Sequence, residues 1–226
     1  MTTMVRLLAL IDQCFREEPF HTLHLMFGDG HEHTERGGTC SDKTLSFLEK
    51  AKHQGFDARI WTAFIGGREI HRLASVAIDG VQYFVDVGNG WPSLIPYPAD
   101  KEIEYQQFGM TFRTELLEDK ISVYHTKEGI EYLQMEIMRT PRKAADILDE
   151  VKNRFDGTNE YPFSNRMRYS AIVGQEFIFL RDCRLYIHSA GKEVQCLQVD
   201  KTAWMDVIGK YFTCGHGRDS SKGGSA

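Results

Sequence analysis

Three side chains of this sequence have the types and the order of a thiol nucleophile with its base and its orienting acid. Cys40 comes first, at the end of the segment RGGTC that starts at residue 36, and His71 and Asp86 follow. In such a set the cysteine thiolate attacks, the imidazole exchanges protons with it, and the carboxylate orients and stabilises the imidazolium. Geometry decides whether the three act together, so the elements that carry them must bring them into contact.

The residues from Cys40 onward have the pattern of an amphipathic helix. Its apolar positions at helical spacing are Leu45, Leu48 and Ala51. Gly55 is typical of a helix end, and Gly37 and Gly38 allow a sharp turn before the helix. Cys40 would then lie at a helix N-terminus, where the helix dipole favours a thiolate. The alternative interpretation is a buried core cysteine beside a glycine turn, because free cysteine is a common core residue.

A β-hairpin is predicted to bring His71 and Asp86 together. The β-rich runs 71–78 and 81–87 are joined by Asp-Gly at 79–80, a dipeptide typical of a two-residue type I′ turn. With those two residues as the loop, the register puts His71 and Asp86 on one face as diagonal neighbours. Their Cβ atoms would be about 7–8 Å apart, a distance that the side chains can close to a hydrogen bond. The alternatives are a bulge that breaks this alignment, or two unrelated edge residues in solvent.

Composition limits the class of protein. The chain has 226 residues with a formal net charge of −5 and no long basic run, which argues against nucleic acid as the main partner. No stretch approaches the roughly 18 apolar residues of a transmembrane helix, and the first residues lack the cleavage site of a signal peptide. The five cysteines are scattered without a CxxC pair, so we expect neither a disulfide framework nor a zinc site. These features predict a reduced, cytoplasmic protein without a membrane partner.

Four histidines lie close together before the RGGTC segment. They are His21, His24, His31 and His33. A metal site is one interpretation of such a group. Because they lie in a stretch rich in Gly and Asp without the spacing of Cys or carboxylate ligands, we interpret them as residues of a solvated loop and predict no bound metal.

The pattern of the whole chain is α+β, in four segments. Residues 1–56 are predicted to be a helical segment that carries the nucleophile, with a helix over 4–17. Residues 57–140 carry the histidine and the aspartate on five or six consecutive antiparallel strands, enough for a small barrel or a strongly curled sheet. Residues 141–214 are predicted to be an α/β lid, with a helix over 141–155, strands over 171–180, 183–189 and 194–199, and a helix over 201–212. Residues 215–226 have the composition of a disordered tail.

Several motifs of this sequence resemble those of the arylamine N-acetyltransferases. The chain has RGG-x-C ending at Cys40, a later His71, and VDVGNG over 85–90, which is similar to the family's D-x-G-F-G element. Shorter matches are PF-x-x-L at Pro19, Phe20 and Leu23, the pair Gly55-Phe56, Leu73, and the IDG turn over 78–80. The likeness continues to about Phe212 and therefore covers nearly the whole chain.

The resemblance implies a fold and a reaction. The fold is a cysteine-protease-like core of an N-terminal helical segment, an antiparallel β-barrel and a C-terminal α/β lid. The reaction is ping-pong acyl transfer, in which acetyl-CoA acylates Cys40, CoA leaves, and an arylamine or hydrazine attacks the thioester. Cys40, His71 and Asp86 would be the catalytic residues. Acetyl-CoA would be a co-substrate, with no permanently bound cofactor, and the lid strands at about 160–214 are its expected location.

Further side chains are assigned to the surroundings of this site. Phe64, Trp91 and Phe112 are the expected contacts of an aromatic substrate. Asn89 stands in the loop that is expected to wall the acceptor site. Arg36 is expected to hold the turn of Gly37 and Gly38 through an ion pair and not to contact substrate.

The sequence departs from the family pattern at three places. It starts near the family's second helix, so one to two N-terminal helices of the family are expected to be missing. Asn89 stands where the family usually has Phe. Residues 41–44 (SDKT) differ from the family's usual pattern of an acidic residue followed by Asn. Cys40, His71 and Asp86 are present in spite of these departures, but they do not identify the acceptor of the acyl group. The alternatives are a biosynthetic amide synthase that uses an acyl carrier protein or a non-acetyl thioester, a cysteine hydrolase or transglutaminase-like enzyme, and a non-catalytic binding protein on an inherited scaffold.

Overall fold

A computed structural model of the protein describes residues 2–27, 37–154, 163 and 165–212. Its helices are α1 (Thr3–Glu17), α2 (Leu23–Phe27), α3 (Cys40–His53), α4 (Ala144–Lys152) and α5 (Trp204–Tyr211), with a 3₁₀ turn at Lys201–Ala203. Its strands are β1 (Phe20–His21), β2 (Ala58–Ile65), β3 (Arg68–Ile78), β4 (Val81–Val85), β5 (Tyr97–Pro98), β6 (Glu104–Gln107), β7 (Met110–Leu116), β8 (Lys120–Lys127), β9 (Ile130–Met138), β10 (Arg168–Val173), β11 (Glu176–Arg181), β12 (Arg184–Ser189) and β13 (Gln195–Gln198). The tail expected over 215–226 lies outside the described residues.

Eight of these strands form the larger sheet. Their order is β5-β4-β3-β2-β9-β8-β7-β6, and all neighbouring pairs are antiparallel. Positive φ angles mark three of the turns that connect them, at Asp79-Gly80, Phe108-Gly109 and Glu128-Gly129, as a type I′ turn requires. The inner face packs around a core that includes Trp61, Leu73, Phe84 and Ile137. The expected antiparallel barrel is present as a curled half-barrel, with β5 and β6 at its edges.

The hairpin of β3 and β4 has the register predicted from its turn. Ile78 pairs with Val81, and the ladder continues as far as the pair Ala74 and Val85. Beyond Val85 the chain leaves the ladder, because it turns into the loop that starts at Asp86. Asp86 nevertheless follows directly after the last paired residue, Val85, so the register still places it beside the first half of β3.

Five strands form the second sheet, in the antiparallel order β1-β10-β11-β12-β13. The prediction of one strand over 171–180 is wrong, because Gly174, with a φ of 61°, starts a turn that separates β10 from β11. The short strand β1 includes His21, one of the histidines interpreted as residues of a solvated loop. It pairs Phe20 with Ser170 and so joins the N-terminal part of the chain to this sheet. Helix α5 covers the sheet through Trp204 and Ile208.

Helices α1 and α3 pack together through apolar side chains and one buried lysine. The apolar contribution comes from Leu7, Leu10, Ile11, Phe47 and Ala51, which are at most 1% exposed. Lys43 is equally buried, and its Nζ donates hydrogen bonds to the backbone oxygens of Cys14 (3.1 Å) and Glu18. The carbonyl of Cys14 also accepts from the backbone N of Glu18, so the lysine is its second donor, whereas Glu18 lies at the C-cap of α1, where carbonyls lack a partner within the helix. Within the described ranges, no helix is long and apolar enough to cross a membrane.

Helix α4 packs on the larger sheet. Its buried residues Ile147 and Val151 contact Ile60 of β2, and the partly buried Leu45 and Leu48 of α3 pack against the same group. Leu48 also packs against the core that contains Ala51. Helix α4 belongs to the segment predicted as the C-terminal lid, and its contacts include β2 and α3.

Candidate active site

A turn of two glycines precedes the helix that carries Cys40. Gly37 and Gly38 have φ angles of 102° and 131°, which residues with a side chain rarely adopt. A Cβ on Gly37 would lie 2.0 Å from the backbone oxygen of Pro19. The backbone N of Gly38 donates to this same oxygen (3.1 Å), and its carbonyl accepts from His21 N (2.9 Å). The turn is therefore pinned to the segment that forms β1, and this contact fixes where α3 begins.

Cys40 is the first residue of α3 and is only 6% exposed. The start of the helix is held by Asp42, whose Oδ2 accepts hydrogen bonds from the backbone N (2.9 Å) and the hydroxyl (2.8 Å) of Thr39. The Sγ atom of Cys40 lies 3.8 Å from the backbone oxygen of Ile70. Since Ile70 precedes His71, the thiol lies against the strand that carries the imidazole.

His71 lies beside both Asp86 and Cys40. Its Nε2 lies 2.6 Å from Asp86 Oδ1, and its imidazole is close enough to Cys40 to lower the pKa of that thiol. Because Nε2 is held by the carboxylate, Nδ1 is the ring nitrogen left to exchange a proton with a thiol. His71 is 4% exposed and Asp86 is 1% exposed, so the pair is shielded from water. The contact between these two side chains, predicted from the register of the hairpin, is confirmed.

Burial and charge shift the pKa values of the two groups in opposite directions. Burial raises the pKa of the Cys40 thiol, but the hydrogen bond and the positive charge of His71 outweigh it, so this pKa lies below its ordinary value. Burial lowers the pKa of His71, but the negative charge and the hydrogen bond of Asp86 outweigh it, so this pKa lies above its ordinary value. The opposite shifts favour a thiolate–imidazolium ion pair over the neutral thiol and imidazole.

The loop after Asp86 passes directly against the start of α3. A Cβ on Gly88 would lie 2.8 Å from the backbone oxygen of Cys40 and 2.9 Å from that of Arg72. Thr44, one turn further along α3, donates from Oγ1 to the same Arg72 oxygen at 2.9 Å. The helix of the cysteine, the strand of the histidine and the loop of the aspartate are therefore packed backbone to backbone, which only a glycine at position 88 allows.

Asn89 holds the carboxylate oxygen that His71 does not use. Its Nδ2 donates to Asp86 Oδ2 at 2.8 Å. Its own Oδ1 accepts from the backbone N of Trp91 (3.1 Å) and from Gln134 Nε2 (3.3 Å). We expected Asn89 to wall an acceptor site, but the side chain is 5% exposed and its amide is engaged with Asp86. Sequence reasoning missed this bond because it depends on how the loop folds back on itself.

A comparison with known families agrees with this geometry. A model of the N-acetyltransferase family matches residues 32–217, which is most of the chain. The chain belongs to the arylamine N-acetyltransferase family. This match confirms the resemblance drawn from the motifs and makes the protein an acetyltransferase by family. A comparison with curated protein sequences finds no significant match.

Solved structures of arylamine N-acetyltransferases share the fold. The enzyme of Nocardia farcinica is 21% identical, with a TM-score of 0.78 over 95% of this chain and 84% of that one. The enzyme of Mycobacterium marinum in complex with CoA is 17% identical, with a TM-score of 0.78 over 93% and 86%. The enzyme of Salmonella typhimurium is 16% identical, with a TM-score of 0.75 over 99% and 89%. At these identities the likeness establishes the fold, and it confirms the α+β, cysteine-protease-like class.

Phe64 and Phe112 are two of the three aromatic side chains that were expected to contact an aromatic substrate. Phe64 is half buried in β2, and its neighbour Ala63 pairs with His71. A register shift between Ala63 and Ile65 falls at Phe64, so strand alternation does not place this ring relative to His71, and its contact with substrate stays a prediction. Phe112 is 1% exposed and stacks on Tyr105 at 5.0 Å between ring centroids, so it contributes to the core.

Trp91 lies where the two sheets meet. Its ring contacts those of His125 from the larger sheet and of Phe179 and His188 from the second sheet, at 5.2, 4.9 and 5.9 Å between centroids. Trp91 follows Asn89 by two residues and is bonded to it, so the tryptophan and Asp86 belong to one loop. The prediction that Trp91 contacts substrate is compatible with this position and stays a prediction.

The remaining assignments concern Arg36 and the histidine-rich stretch. Arg36 lies outside the described residues, as do His31 and His33, so the expected ion pair of Arg36 stays a prediction. His21 is 6% exposed and stacks on Tyr169 at 5.7 Å, so the interpretation of a solvated loop is wrong for this histidine. In the part of the chain that the structure describes, no three His, Cys, Asp or Glu side chains lie close enough to hold a metal ion.

Proposed function

We propose that the protein transfers an acetyl group from acetyl-CoA to an arylamine or hydrazine through a thioester on Cys40. The observation that carries this proposal is the buried hydrogen bond between His71 and Asp86, next to the start of α3, where the charge of His71 lowers the pKa of Cys40. Membership of the arylamine N-acetyltransferase family supports the acceptor class. The CoA bound to the Mycobacterium marinum enzyme supports the donor.

In the first half-reaction the thiolate of Cys40 attacks the carbonyl carbon of acetyl-CoA. The bond from this carbon to the CoA sulfur then breaks, and His71 gives its proton to the departing thiolate, so that CoA leaves as a thiol. The first backbone N–H groups of α3 lack acceptors within the helix, and they are suited to bind the oxyanion that forms during the attack. Because one thioester replaces another, this step is nearly balanced in free energy.

In the second half-reaction the nitrogen of the neutral amine attacks the acetyl carbon on Cys40. His71, now neutral, accepts the proton of the amine, the bond between carbon and Sγ breaks, and the N-acetylated product leaves. The thiolate and the imidazolium are thereby restored. Asp86 stabilises the charge of His71 in this step as in the resting ion pair, and its hydrogen bond to Nε2 leaves Nδ1 as the ring nitrogen that exchanges the proton.

The intact mass of the protein after incubation with acetyl-CoA tests the proposal. We expect an acetyl adduct on the wild type and on Cys183→Ser, since Cys183 lies in the turn between β11 and β12. We expect no adduct on Cys40→Ser, and discharge of the wild-type adduct when an arylamine is added. An adduct on Cys40→Ser would contradict the assignment of the nucleophile. No adduct on a wild type whose Cys40 is still alkylated rapidly by iodoacetamide would contradict acetyl-CoA as donor and favour another thioester, such as an acyl carrier protein.

A further inference from the structure

Strand β3 contains a bulge directly before His71. Between two of its pairs with β2 it has two residues, Glu69 and Ile70, where β2 has only Phe64. A bulge of this kind bends the strand and changes the direction of the side chains beside it. The backbone oxygen of Ile70, within the bulge, lies 3.8 Å from Cys40 Sγ. The shape of the bulge therefore determines how β3 presents the imidazole to the thiol.

The side chain of Arg72 holds this bulge through the backbone of its own strand. Its Nη1 donates hydrogen bonds to the oxygens of Glu69 (3.3 Å) and His71 (3.2 Å). A bulge interrupts the ladder between two strands, so its backbone groups depend on partners outside the ladder. Arg72 supplies such a partner on both sides of Ile70. It is 6% exposed, so water does not compete freely for these bonds.

Glu150 of α4 anchors the guanidinium of Arg72. Arg72 Nη2 donates to Glu150 Oε2 at 2.8 Å, and the side chain of Glu150 is 42% exposed. Arg142, just before α4, binds both Glu150 (Oε1, 2.5 Å) and Glu69 (Oε2, 3.1 Å). Two guanidinium groups and two carboxylates thus form a network that joins α4 to the bulge. A network of this kind holds its members in place better than an isolated surface ion pair does.

The backbone of Arg72 contacts two other elements of the proposed site. Its oxygen accepts a hydrogen bond from Thr44 Oγ1 of α3 at 2.9 Å. The same oxygen lies 2.9 Å from the position that a Cβ on Gly88 would take, in the loop that starts at Asp86. Arg72 is therefore in contact with the helix of the thiol, the loop of the carboxylate and the strand of the imidazole. A shift of this residue would displace the three groups relative to one another.

The positive charge of Arg72 also acts on the thiol. Burial raises the pKa of Cys40, and the charge of Arg72 acts together with that of His71 to bring this pKa below its ordinary value. Glu150, which pairs with Arg72, opposes this charge. The effects of position and of charge can therefore be separated. Removal of the Glu150 carboxylate loosens the guanidinium but makes the surroundings of the thiol more positive.

We propose that Arg72 is a positioning residue for the pair of Cys40 and His71. Its guanidinium, anchored by Glu150, holds the bulge of β3 in the shape that keeps the imidazole beside the thiol. Because successive residues of a strand face opposite sides, Arg72 acts from the face of the sheet opposite to His71, through the backbone. The relevance of this role to acetyl transfer rests on the proposed function, whereas the reactivity of Cys40 measures the role itself.

The rate at which iodoacetamide alkylates Cys40, measured between pH 5 and 9 and located by peptide mass, tests this role. Glu150→Gln should move the midpoint of the pH profile upwards and lower the rate at pH 7 about threefold, because the imidazole is held less well beside the thiol. Arg72→Met should lower this rate at least about tenfold. Arg72→Lys keeps the charge but lacks the planar fork of donors, so it should remain close to Arg72→Met.

The matched controls are Arg113→Met and Glu131→Gln. They break another pair of Arg and Glu in the same sheet, which is joined by two bonds of 2.7 Å, and they should keep the wild-type profile. Thermal unfolding checks that each variant is folded. If Arg72→Met does not fold, Glu150→Gln still decides the test, because it alters a side chain that is 42% exposed.

A midpoint at lower pH in Glu150→Gln would overturn the proposal, because it would show that charge near the thiol matters and the position of the guanidinium does not. Wild-type reactivity of Arg72→Lys would overturn it for the same reason. If the variants behave as expected but the wild type gives no acetyl adduct with acetyl-CoA, the role of Arg72 stands and the proposed function is contradicted. An acetyl adduct together with wild-type alkylation profiles in all variants would support the proposed function and overturn the role of Arg72.

Discussion

The side-chain amide of Asn89 donates a 2.8 Å hydrogen bond to the carboxylate of Asp86, at the oxygen that does not contact His71. Both side chains are buried, and Asn89 is itself held by Gln134 and by the backbone of Trp91. A carboxylate that is bonded at both oxygens cannot rotate without breaking one of the bonds. The hydrogen bond of Asn89 therefore fixes the carboxylate, and through it the orientation of the imidazole.

Replacing Asn89 by alanine should lower kcat while leaving the KM for acetyl-CoA nearly unchanged, because the hydrogen bonds of its buried amide are made to Asp86, Trp91 and Gln134. A lost hydrogen bond to a charged group costs about 1.5–3 kcal/mol, so we expect a decrease of about tenfold to a hundredfold. The pH profile of kcat should shift as well, since Asp86 sets the pKa of His71. Steady-state kinetics between pH 6 and 9 measures both effects.

The matched control for Asn89→Ala is Asn153→Ala, which alters an exposed asparagine after α4. It should have wild-type kinetics. A purely structural role of Asn89 would lower the amount of folded enzyme without moving the pH profile, and that result would contradict a positioning role.

Replacing Asp86 by asparagine should move the reactivity of Cys40 to higher pH. The pKa of Cys40 lies below its ordinary value because of charged His71, and the pKa of His71 lies above its ordinary value because of Asp86. Without the carboxylate, the pKa of His71 falls, the imidazolium is lost and the pKa of the thiol rises. The rate of alkylation by iodoacetamide at pH 6–7 should fall at least about tenfold. Asp100→Asn, at an exposed position, is the control, and an unchanged pH profile in Asp86→Asn would exclude this coupling.

Gly88→Ala should disturb both stability and the proposed site. The added Cβ would lie 2.8–2.9 Å from backbone atoms of Cys40 and Arg72, which cannot move away as a flexible side chain would. Overpacking of this kind costs about 1–3 kcal/mol of unfolding free energy. Gly209→Ala is the control, because its Cβ would meet no atom within 4 Å in the middle of α5, and it should stabilise the protein slightly. Urea unfolding measures the stability of the two variants. Equal stability of Gly88→Ala and Gly209→Ala would contradict the close approach of Gly88 to the backbones of Cys40 and Arg72.

Lys43→Met should change how stability depends on pH. Burial lowers the pKa of Lys43 to about 8, below the value of about 10.4 in an unfolded chain. Between these values the unfolded chain binds more protons than the folded one, so the contribution of Lys43 to stability rises with pH, by at most about 1.4 kcal/mol per unit. The wild type should therefore gain stability relative to Lys43→Met between pH 8 and 10.

Denaturant unfolding at several pH values measures the difference in stability between the wild type and Lys43→Met. Groups that titrate equally in both proteins do not contribute to this difference. Lys52→Met alters an exposed lysine of the same helix and should show a difference that does not vary with pH. A constant difference for Lys43→Met would mean that its two carbonyl partners keep the ammonium fully charged in the folded state.

The contact of His71 with Asp86 could be predicted because it depends on short-range rules. A two-residue turn at Asp79-Gly80 fixes the register, and the register fixes which side chains share a face. The turn at Gly174 was missed because a single glycine within a β-rich run is a weak signal, whereas an Asp-Gly pair is a strong one.

Two other features could not be predicted because they depend on distant contacts. The buried face of α3 includes Lys43, since the carbonyls of Cys14 and Glu18 accept its hydrogen bonds. Counting apolar residues along the helix cannot reveal such a partner. The bond between Asn89 and Asp86 likewise requires the path of an irregular loop, for which the sequence has no periodic pattern.

The pairing of β1 with β10 has a consequence for the order of events during synthesis. The turn of Gly37 and Gly38 is pinned to β1, and β1 is an edge strand whose partner carries Ser170. A chain emerging from the ribosome can form α3 and the hairpin of β3 and β4 early, since those contacts are local. Its β1 strand, however, has no neighbour in the second sheet until β10 has been made. The contacts that hold the turn before Cys40 in place are therefore completed only after β10 has been made, late in the synthesis of the chain.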